Sequence, residues 1–186
     1  AFSGYHIDLT TATVRSERVR CEDLDDVLGG IARGFKSLEQ CPVRDAYDPQ
    51  AVLLMTLGIL SGTQFMTGLR TYFLAYSPLK RSRTGLPSVM WSAGSGKFGT
   101  KMRYLGVDEI VMTGRSESPV LLHITSDPDD ETAQPQFHFE DASSQIGRAS
   151  CRERVEISGV AVAVKKKKRR GADKRRTRST EDQRPM

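Results

Sequence analysis

Two stretches of this sequence set down residue types that could do chemistry at a useful spacing. The first is Gly58-Ile59-Leu60-Ser61-Gly62-Thr63, continuing through Thr67-Gly68-Leu69-Arg70 to Ser77-Pro78-Leu79. It reads as a strand, a glycine-bearing turn and a second strand with one arginine near its start. Gly62 and Gly68 open backbone conformations closed to other residues. Arg70 is a permanent cation with a fork of N–H donors, suited to a phosphate or to a planar polar ring system. The same residue also reads as an ordinary solvated surface arginine. The second stretch is Trp91-Ser92-Ala93-Gly94-Ser95-Gly96-Lys97-Phe98-Gly99. Small residues at a strand-to-helix junction let backbone N–H groups point at an anion, and the helix dipole favours negative charge there. A tight turn without a ligand uses the same residues. The stretch is not a nucleotide-hydrolysing P-loop, because Trp91 stands where that motif needs its first glycine and Phe98 where it needs the Mg²⁺-binding hydroxyl.

These residues need a frame. Residues 4–10 alternate, with Tyr5, Ile7 and Leu9 on one face, and predict a strand. Residues 10–13 predict a tight connection, and residues 14–19 a polar partner strand closing a hairpin. The acidic run 22–26 suits a first helical turn, and Gly29-Gly30 interrupts the segment after it. Ile31, Phe35 and Leu38 recur at helical spacing and predict a helix over 31–40, with Pro42 beyond its end. Residues 51–60 are an apolar run suited to burial on both faces. Strands are predicted over 69–76, ending at Ser77-Pro78, and over 86–91, with a basic loop at 80–84 between them. A short helix over 98–105 is closed by Gly106. Strands over 109–113, 120–125 and 136–139 complete the series. Many strands and few helices predict an α+β fold of mainly antiparallel sheets.

The composition is that of an ordinary polar soluble chain, with 27% charged and 38% hydrophobic residues and no apolar run of membrane-spanning length. No basic flank with an apolar stretch marks a secretory signal, and the chain does not begin with Met, so it reads as a partial cytoplasmic chain. Cys21, Cys41 and Cys151 are an odd, widely spaced set. They build neither a disulfide framework nor a CxxC metal cradle, and read as free thiols in a reducing compartment. His6, His123 and His138 fall on predicted strands and read as solvent-facing or structural.

The charge is unevenly divided. Residues 1–143 carry 14 Lys/Arg against 18 Asp/Glu, a net −4, whereas residues 144–186 carry 14 against 5, a net +9. The basic block opens with Ser144-Gln145-Ile146-Gly147-Arg148-Ala149-Ser150-Cys151-Arg152-Glu153-Arg154-Val155, which looks like a translated sequencing adapter. The lysine run at 165–168 then looks like translated poly-A. A tail of this charge could otherwise bind nucleic acid or anionic lipid, or be a native disordered extension. The adapter match favours an assembly artefact, so the chain divides at about residue 143 into an incomplete domain, 1–143, and a disordered basic tail, 144–186, with no function of its own.

Residues 58–63, Arg70, Ser77-Pro78-Leu79, the 92–99 junction, and Tyr104-Leu105-Gly106-Val107-Asp108-Glu109-Ile110-Val111-Met112-Thr113-Gly114-Arg115 with Ser118-Pro119-Val120 occur in the order seen in one known family. Over about residues 3–141 the chain resembles the N-terminal domain of aldehyde ferredoxin oxidoreductases, including its opening hairpin and the Leu28-Gly29-Gly30 start of its early helix. The resemblance implies a base of sheets on which a bis-pterin, Mg-bridged tungsten or molybdenum cofactor (tungstopterin or molybdopterin) rests. Arg70 would contact the pterin, and Ala93, Gly94, Ser95 and Gly96 would lie against it and its phosphate. Ala93 departs from the asparagine of better-known members, leaving only a backbone carbonyl to serve there, and the loop 80–87 is longer than theirs.

The resemblance further implies a [4Fe-4S] cluster and catalytic residues in later domains, so no catalytic and no metal-ligating residue is expected in this chain, and the isolated piece is expected to be inactive. The partners implied are an aldehyde substrate and ferredoxin, with a homodimer as one assembly consistent with it and neither membrane nor nucleic acid engaged. Two other readings stay open: a non-enzymatic α+β module that binds an anion or a partner protein, and a nucleic-acid binder driven by the tail.

Overall fold

The computed structural model describes residues 2–19, 29–65, 68–127, 134–143 and 160–164. Among these residues nine strands and two helices follow in chain order: β1 (Phe2–Asp8), β2 (Thr13–Val19), α1 (Gly30–Glu39), β3 (Leu53–Leu57), β4 (Thr71–Arg81), β5 (Pro87–Gly94), α2 (Lys97–Tyr104), β6 (Glu109–Thr113), β7 (Val120–Thr125), β8 (Gln136–Asp141) and β9 (Val160–Val164). Six strands form one sheet in the order β2-β1-β6-β3-β4-β5, and three form another in the order β8-β7-β9. All ladders are antiparallel except β1–β6 and β7–β9. The α+β expectation therefore holds, with two parallel ladders added.

Period-2 alternation sends side chains of the large sheet to two different cores. Ile7, Met55, Leu57, Ile110 and Met112 face one side and pack with Met102 of α2 and with Leu122 and Ile124 of the small sheet. Leu54 and Leu74 face the other side, where Leu38 of α1 and Val52 cover them. Strand β3 lies inside both cores, and Leu54, Met55, Thr56 and Leu57 are all buried. That is the two-sided burial its continuous apolar run predicts.

Helix α1 keeps its predicted place but turns differently. Its buried face is Gly30, Arg33, Gly34, Ser37 and Leu38, while Phe35 is exposed. Gly34 makes this close approach possible. A Cβ there would come 2.4 Å from Leu74 Cδ1. The buried Arg33 and Ser37 are held by Glu109 of β6, through Arg33 Nε at 3.1 Å and Ser37 Oγ at 3.1 Å.

Two other predicted boundaries move. Strand β4 runs through Ser77-Pro78 to Arg81 instead of stopping there, and its pairing with β5 shifts register between Tyr76 and Arg81. The missing N–H of Pro78 is tolerated at such an irregularity. Ser77 Oγ accepts the backbone N–H groups of Leu79 and Lys80 across it. Residues 160–164 of the tail, expected to be disordered, form β9 beside β7. The acidic run 22–26 lies outside the described residues. Among those residues no helix is long and apolar enough to cross a membrane.

Candidate functional site

Strand β4 begins one residue after Arg70, and β5 ends at Gly94. The register pairs Thr71 with Gly94, Tyr72 with Ala93 and Phe73 with Ser92. Arg70 directly precedes and Ser95 directly follows the Thr71–Gly94 pair that closes this end of the ladder. The ladder thus gathers all five expected site residues, Arg70, Ala93, Gly94, Ser95 and Gly96, at one end of the β4–β5 hairpin. Arg70, Ala93 and Ser95 are exposed, and Gly94 and Gly96 are half-buried. No partner for the Arg70 guanidinium is seen among the described residues. Strand β5 is the edge of its sheet, so alternate backbone groups along it face away from β4.

Helix α2 starts directly after this corner. Gly96 holds φ 116°, a conformation that favours glycine, and a Cβ there would meet nothing within 4 Å. The space beside it is open. The first turn has neither a side-chain cap nor an acidic residue, so its backbone N–H groups have no side-chain acceptor and present partial positive charge. Gly99 lets the helix press on the strand, since a Cβ there would lie 2.6 Å from Thr71 Oγ1. Two buried hydroxyls flank the corner, Thr71 Oγ1 and Thr100 Oγ1, and neither has a hydrogen-bond partner among the described residues. Open space, uncapped N–H groups and a bare guanidinium fit a large anionic ligand that brings its own acceptors.

Behind the corner stands a residue that motif spacing does not single out. Arg103, near the end of α2, reaches back under the turn at 58–62. Its Nη2 donates to Gly58 O at 2.8 Å and its Nε to Ser61 O at 3.1 Å. Its Nη1 pairs with Asp108 Oδ1 at 2.6 Å. Gly62, at φ 76°, rests on the Arg103 stem, where a Cβ would come within 2.9 Å. From the same turn, Ser61 Oγ donates to the backbone carbonyl of Arg70 at 3.0 Å. Asp108 also accepts the Ser3 N–H at 2.8 Å through its other oxygen. Burial raises the pKa of Asp108, and the Ser3 N–H and the Arg103 charge oppose that rise.

A second signal lies in the charge pattern. Residues 49–107 hold seven Lys/Arg and no Asp or Glu. Every strand and turn that forms the corner falls within this stretch, so no nearby carboxylate in the sequence competes with an incoming anion.

The remaining candidates gather nothing. Among the described residues no three His, Cys, Asp or Glu are grouped to hold a metal ion. Cys41 is a free thiol whose pKa is raised by burial, the opposite of the shift that activates a thiolate. Cys21 and Cys151 lie outside the described residues. His123 Nε2 meets Glu140 at 2.6 Å on the small sheet, and His138 pairs with His123 across the ladder, far from the corner in the topology. A groove of about 450 Å³ lies between the β1–β2 hairpin and β8, lined by Tyr5, Val14, Gln134 and Phe137 among others, with no charged side chain.

The family described as aldehyde ferredoxin oxidoreductase, N-terminal domain, matches residues 4–163. The tungsten-containing aldehyde ferredoxin oxidoreductase of Thermococcus kodakarensis is 32% identical over 123 residues, 65% of this chain and 19% of that protein. The protein of the same name from Pyrococcus abyssi is 31% identical over 120 residues, 63% of this chain and 19% of its own length. This chain therefore spans about a fifth of the curated relatives it matches. Among solved structures, the active-site complex BamBC of benzoyl coenzyme A reductase, bound to 1,5-dienoyl-CoA, superposes with a TM-score of 0.66 at 26% identity, covering 78% of this chain and 20% of that one. With the family match running over most of its length, the chain belongs to the aldehyde ferredoxin oxidoreductase N-terminal domain family.

Proposed function

We propose that this chain is the cofactor-supporting front of a tungsten- or molybdenum-pterin oxidoreductase that oxidises aldehydes to carboxylic acids and passes the electrons to ferredoxin. The observation that carries the reading is the corner itself: Arg70 and Ser95 flanking the Thr71–Gly94 pair beside an uncapped helix N-terminus, in a stretch without carboxylates. When bound, a tungsten- or molybdenum-pterin cofactor would supply the two-electron redox chemistry, held by Arg70 and residues 93–96. The chain's own residues supply position and charge. Arg70 donates its planar fork to the pterin or its phosphate. Gly94, Ser95 and Gly96 let the backbone approach closely, and the N–H groups opening α2 receive an anionic oxygen. Ala93 offers only its backbone. The relatives' names support tungsten and aldehydes. The [4Fe-4S] cluster, its ligands and the proton-transferring residues belong to the remainder of the protein, so residues 1–143 alone turn over nothing.

A thioester substrate is the second reading, favoured by the likeness to the benzoyl coenzyme A reductase complex. Both readings use the same corner. The complete gene product, purified with its cofactor, is assayed with aldehydes and an artificial electron acceptor, and in parallel with an aromatic acyl-CoA and a low-potential donor. Aldehyde turnover supports the first reading. Thioester turnover alone replaces it with the second. An enzyme that carries neither metal nor pterin removes both and leaves the non-enzymatic anion-binding module.

We propose also that residues from about 144 are foreign to the gene. The adapter-like dodecamer and the lysine run support this. The β9–β7 ladder and the family match as far as residue 163 oppose it. Resequencing the locus decides: a reading frame continuing unbroken through residues 165–178 ends the proposal.

A further inference from the structure

The corner is held from behind by one relay: Asp108 to Arg103, Arg103 to the turn at 58–62, and Ser61 of that turn to the backbone of Arg70. The ligand-facing arginine and the relay arginine have opposite characters. Arg70 is exposed with no partner seen for its guanidinium, whereas the Arg103 guanidinium is spent on two carbonyls within hydrogen-bond range of 3.1 Å or less and on one carboxylate. A third carbonyl, Ile59 O, lies 3.5 Å from Nη2. Turn carbonyls that converge on one side need donors, and a guanidinium can serve several of them at fixed angles where an ammonium cannot. Arg103 also belongs to α2, whose opening N–H groups form the other half of the corner. One residue therefore couples both halves, the strand that begins at Arg70 and the helix that begins at Lys97.

We propose that Arg103 and Ser61 are positioning residues for the pterin site: they set the direction in which the β4 backbone leaves Arg70 and the distance from that cation to the α2 N-terminus. This rests on the reading of the corner as the cofactor site. Neither residue touches the ligand. Their effect is pre-organisation, because a ligand that must first order the turn binds less tightly than one that finds it formed.

The test uses the complete gene product in five forms: wild type, Arg70→Ala, Ser61→Ala, Arg103→Lys and Arg103→Gln. Three properties are read in each: tungsten or molybdenum per polypeptide after gel filtration, the rate of pterin release into chelator-containing buffer followed by fluorescence, and the thermal midpoint. Arg70→Ala lowers metal content at least tenfold. Ser61→Ala, which removes one hydrogen bond to a backbone carbonyl, speeds pterin release two- to tenfold, the effect of one neutral hydrogen bond, with at most a small fall in the midpoint. Arg103→Gln speeds it further, and Arg103→Lys falls between. In the Arg70→Ala background Ser61→Ala adds nothing, a non-additivity that a general loss of stability does not produce. If Arg70→Ala loses metal while Ser61→Ala releases pterin at the wild-type rate, positioning is overturned and the cofactor reading stands. If Arg70→Ala keeps its metal, the cofactor reading itself falls. Should Arg103→Gln fail to fold, Ser61→Ala still decides the case.

Discussion

Adjacent residues, Asp108 and Glu109, send their carboxylates to opposite faces of the large sheet, and each meets an arginine from a different helix. Glu109 meets Arg33 of α1 with side-chain exposures of 5% and 8%, a sealed pair. Asp108 meets Arg103 of α2 with exposures of 5% and 25%, a pair open on its cationic side. The first arginine gives its Nε to a carboxylate and disappears into the α1 interface. The second divides its donors between a carboxylate and the turn beneath the ligand corner. The same two functional groups thus do different jobs. What separates them is whether the guanidinium faces another side chain or the backbone of a loop that carries function.

The largest effect expected from this contrast lies on the sealed side. Arg33→Met leaves Glu109 buried with only Ser37 for a partner, and should lower stability by about 3–5 kcal/mol. Adding Glu109→Leu should recover most of that loss, because two well-packed apolar groups replace a desolvated pair. Thermal midpoints of the two single variants and the double variant in the complete protein check it. If the double variant is as unstable as either single one, the pair holds α1 through more than charge cancellation. On the open side, Arg103→Gln should lower stability less, by about 1–3 kcal/mol. Asp108 keeps the Ser3 N–H as a partner.

The pH dependence sharpens the same comparison. Burial raises the pKa of Glu109, against the pull of Arg33 and Ser37, and likewise raises that of Asp108. The folded state therefore keeps these protons to higher pH than the unfolded chain does. The contribution to stability is complete below the ordinary carboxylate range, about pH 4, and is lost as pH rises through the folded-state values. Wild type should accordingly lose stability relative to the Arg33→Met/Glu109→Leu double variant as pH rises from 4 towards 7. A constant or opposite difference would mean that the arginine outweighs burial at Glu109.

How much of this could be read from the sequence differs between the two faces for a physical reason. The strands of the large sheet were legible because alternation and apolar runs are local signals. The two strands and the short basic connection that bring Arg70 near Ser95 were legible too, but their register was not, because it is fixed by the β4–β5 ladder. The orientation of α1 was not legible. Ile31, Phe35 and Leu38 predict an apolar seam, yet the helix buries Arg33 and Ser37 because Glu109, more than seventy residues later, is there to receive them. The parallel β1–β6 ladder and the role of Arg103 are hidden for the same reason, since each depends on partners distant in sequence. The absence of carboxylates between Asp48 and Asp108 was open to view, but it is a signal of charge spacing and no motif carries it.

A smaller effect is expected at Gly62. Its φ of 76° and the 2.9 Å approach of a hypothetical Cβ to Arg103 Cβ both resist substitution. Gly62→Ala should lower stability by about 1–3 kcal/mol, and it should speed pterin release as well, because the strain falls on the turn that Arg103 supports. Gly85 gives the control. It has a φ of 82° with nothing within 4 Å of a Cβ. Gly85→Ala meets the backbone penalty alone and should leave pterin release unchanged. Equal release from both variants would remove the turn at 58–62 from the site.

The smallest change in stability is expected where the change in function is greatest. Arg70 is exposed and has no partner for its guanidinium among the described residues, so Arg70→Ala should shift stability of the cofactor-free protein by no more than about 0.5 kcal/mol. An arginine kept without an internal partner contributes little to folding. Its energetic role has to come from something that binds it. The cofactor-free protein is therefore the form in which to measure the variant, by urea unfolding beside wild type, since a bound ligand stabilises the folded state in proportion to its own affinity. A small difference there, joined to metal loss in the loaded protein, assigns Arg70 to the ligand. A loss of several kcal/mol without cofactor would assign it to the fold, alongside Arg33, and the distinction between a sealed and an open arginine would no longer mark the site.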